Sequence, residues 1–277
     1  MKSNNLLGHG IYMYQQLYRK IQTATCYVTV FENDEIISDG TGFCFLPSGE
    51  VMTAAHVVTG RLPIKQEDVT DPNVNIFVKF QGVPLLQYKV AICGMKIDNE
   101  TFSRPIQIDV AILIPLEKKN INFPVLKANV NPPRLGEELF LAGFSDEIEL
   151  PFMLQTLIKK GTPGLKEFSE AMKKGYDADM MSLMIKRGIV GNVKRVIFES
   201  KSLINLIELD IFYVDNGIHS GASGGPVVNK NGVAAGIITQ RAITKVPFEE
   251  TPYLKVPSGS TMGISLQFLR TLSEWKP

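Results

Sequence analysis

One segment of this chain is more informative than any other: Gly217-Ile218-His219-Ser220-Gly221-Ala222-Ser223-Gly224-Gly225-Pro226. It places Ser223 between glycines and leads into an apolar, strand-like run. A catalytic hydroxyl requires a tight, exposed turn, because backbone N–H groups must approach the substrate carbonyl and side chains would block them. Glycine and serine are also common turn residues, so an ordinary hairpin turn is the alternative interpretation. The segment indicates a nucleophilic serine only if the chain also supplies a base.

The candidate base is His56, one of three histidines in the chain together with His9 and His219. It ends the run Val51-Met52-Thr53-Ala54-Ala55-His56, which follows a turn at Pro47-Ser48-Gly49. Small residues before a histidine allow close packing on one side and leave the imidazole accessible on the other. A buried structural histidine in a β-protein is the alternative. The interpretation of His56 therefore depends on whether the chain also supplies an orienting acid.

Asp109 is the best candidate for the acid that orients the histidine. It opens the apolar strand Asp109-Val110-Ala111-Ile112-Leu113-Ile114. Aspartate is unfavourable beside a buried strand unless a partner binds it, and a strand-capping or turn aspartate is the alternative. The three signals occur in the order His, Asp, Ser, each in a β context. This joint occurrence favours a catalytic triad.

The segments around these three residues resemble the signature blocks of chymotrypsin-like (trypsin-fold) serine proteases. The blocks are Thr53-Ala54-Ala55-His56, Asp109-Val110-Ala111-Ile112-Leu113 and Gly221-Ala222-Ser223-Gly224-Gly225-Pro226, in the chain order of that family. The approach Asp215-Asn216-Gly217-Ile218 and the ending Met262-Gly263-Ile264-Ser265-Leu266 are most similar to bacterial high-temperature-requirement proteases. The likeness covers about residues 24 to 272, with one large interruption.

The resemblance implies an all-β fold of two packed, antiparallel six-stranded β-barrels with the catalytic cleft between them. Residues 1–23 form an N-terminal helical segment, residues 24–120 the first barrel and residues 121–277 the second. A short C-terminal helix and a helical insertion in the second barrel complete the expected fold.

The resemblance also implies a serine endopeptidase that works through an acyl-enzyme intermediate. Ser223 would attack the scissile carbonyl, His56 would transfer the proton, and Asp109 would hold the imidazole in the required tautomer. The backbone N–H groups of Gly221 and Ser223 would form the oxyanion hole. Thr239 matches a position where the family places a hydroxyl near the buried aspartate, and we also expect it, with Gly217 and Arg241, at the substrate pocket.

Three positions bear on activation and specificity. Ala222 stands where digestive relatives carry an aspartate that a new N-terminus neutralises, and where bacterial relatives often carry asparagine. We therefore expect activity to depend on contacts, other than those of the Ala222 side chain, that hold the loop expected to form the oxyanion hole. Gly217 matches trypsin's specificity aspartate, so no acid is expected to bind a basic substrate residue. Arg241 lies near the expected pocket rim, either attracting an acidic group of the substrate or as a solvated arginine.

Composition excludes several other functions. The chain has 277 residues, 44% of them hydrophobic, and a net charge of +1. This charge balance gives no basic excess for nucleic acid or an anionic membrane. No apolar run reaches the 18 or more residues of a membrane span. We expect no cofactor and no metal, and protein or peptide chains as substrates.

The cysteines indicate a reducing compartment. Cys26, Cys44 and Cys93 are odd in number and have no metal-ligand spacing. Secreted animal relatives use the residue after the histidine in a disulfide, and here that residue is Val57. We expect buried free thiols and, with no secretory signal visible at the start, a cytoplasmic location.

Hydrophobic periodicity locates the main elements. Helical spacing of Ile11, Tyr14, Leu17, Tyr18 and Ile21 predicts an amphipathic helix over residues 10–22 that packs on a barrel surface. β-Branched and aromatic residues predict strands at Cys26–Phe31, Val74–Phe80 and Tyr88–Ile92. The proline-bearing residues 115–133 suit the connection between the barrels, and the second barrel is expected to start near Glu138.

The interruption lies at about residues 150–187. Its expected helical segments are Phe152–Lys160, Leu165–Lys174 and Asp177–Arg187. It holds five of the ten methionines: Met153, Met172, Met180, Met181 and Met184. One interpretation is helices that lie flat on the barrel and bury these methionines. The other is a lid, a docking surface or a regulatory element that binds a protein partner.

Two classes of function follow from these observations. The first is an active intracellular serine endopeptidase. The second is a catalytically silent or partner-activated binding or sensing module on a protease fold, which Ala222 and the insertion keep open. Acyl transfer other than peptide hydrolysis is a third class that nothing in the sequence favours.

Overall fold

The computed structural model describes residues 4–65, 67–97, 106–117, 121–145, 157–181, 183–199, 206–246 and 254–270. Two closed barrels of six strands each form most of the described chain. Neighbouring strands are antiparallel in both barrels. The predicted all-β, two-barrel fold class is confirmed.

The first barrel brings His56 and Asp109 to the same place. Its strands are β1 (Thr25–Glu32), β2 (Glu35–Cys44), β3 (Val51–Thr53), β4 (Val74–Phe80), β5 (Leu86–Ile97) and β6 (Ile106–Pro115), in the spatial order β1-β2-β3-β6-β5-β4. Thr53 of β3 lies opposite Ala111 of β6. Helix α2 (Ala55–Thr59) follows β3 directly and carries His56, while Asp109 lies on β6. A second short helix, α3 (Glu67–Thr70), precedes β4.

The second barrel carries Ser223 in the turn before one of its strands. Its strands are β7 (Glu138–Gly143), β8 (Met184–Glu199), β9 (Leu206–Val214), β10 (Pro226–Asn229), β11 (Ala234–Val246) and β12 (Leu254–Ser265), in the spatial order β10-β11-β12-β9-β8-β7. Val227 of β10 lies opposite both Leu141 of β7 and Gly236 of β11. The turn before β10 is therefore anchored from both sides.

The predicted strands lie within observed ones. Cys26–Phe31 falls inside β1, Val74–Phe80 coincides with β4, and Tyr88–Ile92 falls inside β5. In β1 every residue from Thr25 to Phe31 is buried. This explains its nearly continuous apolar character, since a strand covered on both faces does not alternate.

The N-terminal helix, α1, is longer than predicted and spans Asn4–Ala24. Leu17 and Ile21 are buried, and the rings of Tyr14 and Tyr18 each lie 5.9 Å from the ring of Phe140. Phe140 belongs to β7, so the helix that leads into the first barrel packs against the second. The ammonium of Lys20 strengthens this contact by donating a hydrogen bond to the carbonyl of Gly232 at 2.6 Å.

The helical insertion is shorter than predicted. It contains α4 (Leu165–Lys174) and a 3₁₀ helix at Tyr176–Asp179. The prediction of a helical segment through Asp177–Arg187 is wrong, because β8 begins at Met184 and pairs along β7. The structure from Met184 onward is determined by backbone hydrogen bonds to β7 and not by the local sequence pattern. Most of the predicted segment Phe152–Lys160 lies outside the described residues.

The insertion docks on β1 and β4 of the first barrel. The hydroxyl of Thr29 donates to the carbonyl of Lys174 at 2.9 Å, and the buried ammonium of Lys79 pairs with the carboxylate of Asp179 at 2.8 Å. The same ammonium lies 5.5 Å from the centre of the Tyr176 ring. The described methionines of the insertion are half-buried. These contacts come from the C-terminal end of α4 and from the 3₁₀ helix, and no residue of α4 is fully buried. Burial of the methionines by helices that lie flat on a barrel therefore stays a prediction.

Two further elements close the fold. A 3₁₀ helix at Leu266–Arg270 follows β12 where a short C-terminal helix was predicted. Between the barrels, the connection is mostly irregular and touches the second barrel through a bridge between Ala128 and Ala234.

One hydrophobic cluster is shared by both barrels and α1. Its fully buried members include Ile21 of α1, Phe43, Met52 and Ile112 of the first barrel, and Phe140, Ile237 and Leu266 of the second half of the chain. Because these side chains contact one another, the two barrels are held as one packed body.

Candidate active site

The turn that carries Ser223 lies against the first barrel, and its glycines make this contact possible. Gly224 has φ +85°, and a Cβ atom there would lie 2.1 Å from the carbonyl oxygen of Thr41. At Gly225 a Cβ atom would lie 2.0 Å from the carbonyl oxygen of Ala142. Both distances are far below any contact that two heavy atoms tolerate. These two glycines are therefore required for the turn to reach β2 and β7.

His56 lies in the first turn of α2, behind two alanines. Ala54 and Ala55 have no exposed surface, so their small side chains let the helix pack closely on the barrel. The side chain of His56 is 28% exposed. The helix ends at Gly60, whose φ of +68° gives the left-handed conformation common after a helix. As expected from the sequence, the residues before His56 are closely packed and its imidazole remains partly accessible.

Asp109 binds His56 through both carboxylate oxygens. Oδ2 lies 2.7 Å from Nδ1 of the imidazole, and Oδ1 accepts the backbone N–H of His56 at 3.0 Å. The aspartate side chain is only 12% exposed. An acceptor-only carboxylate beside Nδ1 favours the tautomer with its proton on that nitrogen, which leaves Nε2 as the basic one. The two hydrogen bonds together fix the orientation of the ring.

A cavity of about 330 Å³ joins these groups to Ser223. It is lined by His56, Gly60, Arg61, Leu62, Asp109, Ile218, His219, Ser220, Ser223, Ile238, Thr239, Gln240 and Arg241. The three residues predicted as a triad come from α2 and β6 of the first barrel and from the turn before β10 in the second. The cavity therefore lies at the junction of the two barrels.

The hydroxyl of Ser223 points to a backbone acceptor. Its hydrogen bond goes to the carbonyl of Thr239 at 3.5 Å. Among the described residues no hydrogen bond joins this hydroxyl to His56. Proton transfer between the two therefore requires a movement that brings the serine hydroxyl within hydrogen-bond distance of the imidazole.

The predicted oxyanion-hole groups are unbound in this structure. In the part of the chain that is described, no protein acceptor binds the N–H of Gly221 or of Ser223. The neighbouring peptides are held: the N–H of Gly224 donates to Ile238 at 2.8 Å, and that of Gly225 to Ala222 at 3.0 Å. Two N–H groups without a protein acceptor are available to bind a carbonyl oxygen that becomes negatively charged. Of the two residues, Ser223 lines the cavity and Gly221 does not.

The predicted pocket residues divide into two groups. Thr239 and Arg241 line the cavity, and the Thr239 hydroxyl donates to the carbonyl of Met262 at 3.4 Å. Gly217 is not among the residues that line the cavity. A Cβ atom there would lie 3.2 Å from Gly259, and its carbonyl accepts a hydrogen bond from the ammonium of Lys186 at 2.5 Å.

Several residues of the site were not found from the sequence. Ser220 and Gln240 line the cavity beside predicted neighbours, and His219 had been noted only as one of three histidines. Lys186 reaches Gly217 from a segment that was predicted to be helical. Thr41 binds the serine turn from β2. Nothing local distinguishes Lys186 or Thr41, because their partners lie far away along the chain.

The described part of the insertion does not line the cavity. None of residues 157–181 and 183–187 is among the residues around Ser223. The roles of the insertion as a lid, a docking surface or a regulatory element that binds a protein partner stay predictions.

The described residues form neither a metal site nor a membrane-spanning helix. No group of three or more His, Cys, Asp or Glu side chains there could hold a metal ion. In the same residues, no helix combines the length and apolar character that crossing a bilayer demands.

The three cysteines are free thiols in the structure. Cys26 and Cys44 are buried, whereas Cys93 is only half-buried. Burial raises the pKa of Cys44 and of Cys93 to about 12. The pKa of Cys26 is likewise raised by burial. All three groups are therefore protonated near neutral pH.

Known proteins share this architecture. The family model described as "Trypsin-like peptidase domain" matches residues 40–237, more than half of the chain. The Rv3671c protease from M. tuberculosis, active form, has a TM-score of 0.54 at 15% identity over 94% of this chain and 83% of that one. Its inactive form has a TM-score of 0.53 at 15% identity, over 96% and 95%.

The serine endoprotease from Yersinia pestis has a TM-score of 0.54 at 19% identity, over 94% of this chain and 65% of that one. At such identities these structures support the fold alone. No curated protein sequence matches the chain.

Proposed function

Because the chain belongs to the trypsin-like peptidase family, we propose that it is a serine endopeptidase that hydrolyses peptide bonds through His56, Asp109 and Ser223. Protein or peptide chains are the substrates that a peptidase domain implies. One observation carries the proposal: the imidazole of His56 is bound by Asp109 at 2.7 Å and shares a cavity with Ser223.

The reaction follows from the roles that this geometry supports. Ser223 Oγ attacks the substrate carbonyl carbon while its proton passes to Nε2 of His56. The carbonyl oxygen gains a negative charge, which the N–H groups of Gly221 and Ser223 stabilise. The C–N bond then breaks as Nε2 returns the proton to the leaving amine, which gives an acyl-enzyme. Water repeats the sequence and releases the acid and Ser223.

The observed serine rotamer is compatible with this scheme. Hydrogen bonds between catalytic groups are commonly long or misaligned without substrate and shorten in the complex. The bond to Thr239 at 3.5 Å is itself long for an O–H donor, so leaving it costs little.

The proposal is tested by labelling with a fluorophosphonate, which phosphonylates an activated serine. Wild type should be labelled at Ser223, and Ser223→Ala should not be labelled. Peptide hydrolysis should fall by about a million-fold in Ser223→Ala and by about ten-thousand-fold in Asp109→Asn. Ser258→Ala, which removes an exposed serine of β12, is the matched control and should keep the wild-type rate.

Equal hydrolysis by Ser223→Ala and wild type rejects the catalytic assignment. A folded wild type that neither reacts with the probe nor cleaves peptides supports the second function, a silent or partner-activated binding or sensing module. The serine rotamer and Ala222 are the observations that keep this second function in view.

We also propose that the protein works in a reducing compartment such as the cytoplasm. All three of its cysteines are unpaired, and proteins exposed to oxidising surroundings commonly use theirs in disulfides.

A further inference from the structure

The loop that would form the oxyanion hole lacks its own polar anchor. Ala222, the residue before the serine, has no side-chain hydrogen-bonding group and is 1% exposed. Its Cβ atom packs against Gly143, where an added Cβ atom would lie only 2.3 Å away. Gly221 beside it has φ +83°, a conformation in which glycine rotates readily. Something other than Ala222 must therefore hold the peptide between these two residues.

Thr41 on β2 supplies the missing contacts. Its hydroxyl donates to the carbonyl of Gly221 at 2.8 Å, and its backbone N–H donates to the carbonyl of Ser223 at 2.9 Å. Thr41 therefore holds two of the three consecutive peptide groups around the nucleophile. The third, which contains the N–H of Ser223, is held by the hydrogen bond from Gly225 to Ala222.

The Thr41 side chain is itself held in one orientation. It has no exposed surface, and its hydroxyl accepts the N–H of Phe144 at the end of β7 at 3.0 Å. Its carbonyl accepts the hydroxyl of Thr53 at 2.7 Å. A hydroxyl that both donates and accepts in a buried site has no competing partner and does not rotate away.

We propose that Thr41 is a positioning residue that holds the Gly221–Ser223 loop with its N–H groups turned toward the substrate carbonyl. The proposal rests on the proposed peptidase function. Because a peptide group is planar, a hydrogen bond to the Gly221 carbonyl fixes the whole peptide group between Gly221 and Ala222. Without the Thr41 hydroxyl, this peptide group rotates about Gly221. The N–H of Gly221, which is the oxyanion donor on the other side of the glycine, then no longer points in a fixed direction.

Thr41 also links the two halves of the site. It lies in the barrel that carries His56 and Asp109, and it binds the loop of the barrel that carries Ser223. Thr41 thus fixes the position of the Gly221–Ser223 loop relative to the barrel that carries His56. Small displacements between catalytic groups lower the reaction rate strongly.

The experiment compares variants that differ in this hydroxyl. Thr41→Val keeps the side-chain shape and removes the hydroxyl, whereas Thr41→Ser retains it. Thr29→Val is the matched control, since Thr29 is a buried threonine on the adjacent β1 whose hydroxyl donates to Lys174, remote from the loop. The probe is a fluorophosphonate, whose phosphonyl oxygen occupies the oxyanion site. Its maximal labelling rate, its half-saturating concentration and the Tm are measured for each variant.

In Thr41→Val the maximal labelling rate should fall at least about tenfold, toward the hundredfold or more that loss of one oxyanion donor costs. The half-saturating concentration should change by less than about threefold, because ground-state binding does not use the hole. Thr41→Ser should restore the rate, and Thr29→Val should keep it, whatever either does to Tm.

A wild-type labelling rate in Thr41→Val overturns the proposal, and so does a rate loss that Thr29→Val shares at an equal loss of Tm. If Thr41→Val does not fold, Thr41→Cys replaces it. The thiol is a weaker donor, so an unchanged rate in Thr41→Cys overturns the proposal as well. If wild type itself is not labelled, the peptidase function fails and the Thr41 assignment fails with it. A labelled wild type with an unaffected Thr41→Val refutes the Thr41 assignment alone.

Discussion

At the scale of single residues, Ala222 is small because of the backbone it faces. Gly143 lies so close that a Cβ atom there would be 2.3 Å from that of Ala222. A longer side chain in this direction would displace the loop that carries Ser223. Because Ala222 offers no polar group, the polar contacts to the carbonyls of Gly221 and Ser223 come from the opposite barrel, from the hydroxyl and the backbone N–H of Thr41.

The thiols lead to a prediction at the same scale. Raising the pKa of Cys44 and Cys93 from 9.0 to about 12 lowers their thiolate fraction, roughly a thousandfold at pH 8. Native protein should therefore react with a thiol reagent far more slowly than protein unfolded in guanidinium. Titration with Ellman's reagent in both states measures this. A thiol that reacts equally fast in both states would contradict the prediction.

The raised pKa values of Cys44 and Cys93 also make the free energy of unfolding depend on pH. The folded pKa values lie above the unfolded value of 9.0, so the protonated thiols favour the folded state. This contribution is complete below about pH 9 and is lost as the pH rises toward 12.

At the scale of elements, the insertion ties the second barrel to the first. It leaves the second barrel after β7, and its turn at Gly175 lies against β1 and β4. The contact is polar at its centre, since the ammonium of Lys79 is 3% exposed and is paired with Asp179. A buried ammonium needs such a partner, because an unpaired one loses its hydration without compensation.

We expect Asp179→Asn to lower the free energy of unfolding by about 1–3 kcal/mol, the cost of a weakened partner for a buried charged group. Urea denaturation measures the change. The matched control is Glu170→Gln on α4, which removes one charge of an exposed pair with Lys166 at 3.9 Å and should change stability by less than about 0.5 kcal/mol. Equal effects of the two substitutions would show that the docking contact does not stabilise the fold.

At the scale of the whole molecule, one shared cluster makes the barrels interdependent. Helix α1 precedes the first barrel along the chain but packs on Phe140 of the second. Ile21 of this helix has no exposed surface and belongs to the cluster that contains side chains of both barrels. Loss of packing there is transmitted to both halves, so we expect them to unfold together.

Ile21→Ala should therefore lower the free energy of unfolding by about 2–5 kcal/mol, the cost of a cavity in a packed core. Both barrels should still unfold in one calorimetric transition, with equal calorimetric and van't Hoff enthalpies. Met13→Ala is the control on the same helix, since Met13 is 54% exposed. Two separate transitions in Ile21→Ala would mean that the barrels are independent units.

The family resemblance implied the two barrels, and residue patterns placed several of the twelve strands, most of them in the first barrel. β4 coincides with its predicted range because five of its seven residues, including the first and the last, are β-branched or aromatic. The start of β8 at Met184 was missed, since methionine is a good helix former and the residues before it gave no strand pattern. Only pairing with β7 identifies this segment as a strand, and such pairing is not visible in a short window of sequence.

His56, Asp109 and Ser223 could be singled out from the amino-acid sequence because each is a chemically distinctive residue in a local context that suits its role. The contacts of Thr41, Lys79 and Lys186 emerged only from the folded chain. Thr41 and Gly221 are 180 positions apart, and a hydrogen bond between such distant residues leaves no trace in either local segment. It exists only because the closure of two barrels brings their backbones together.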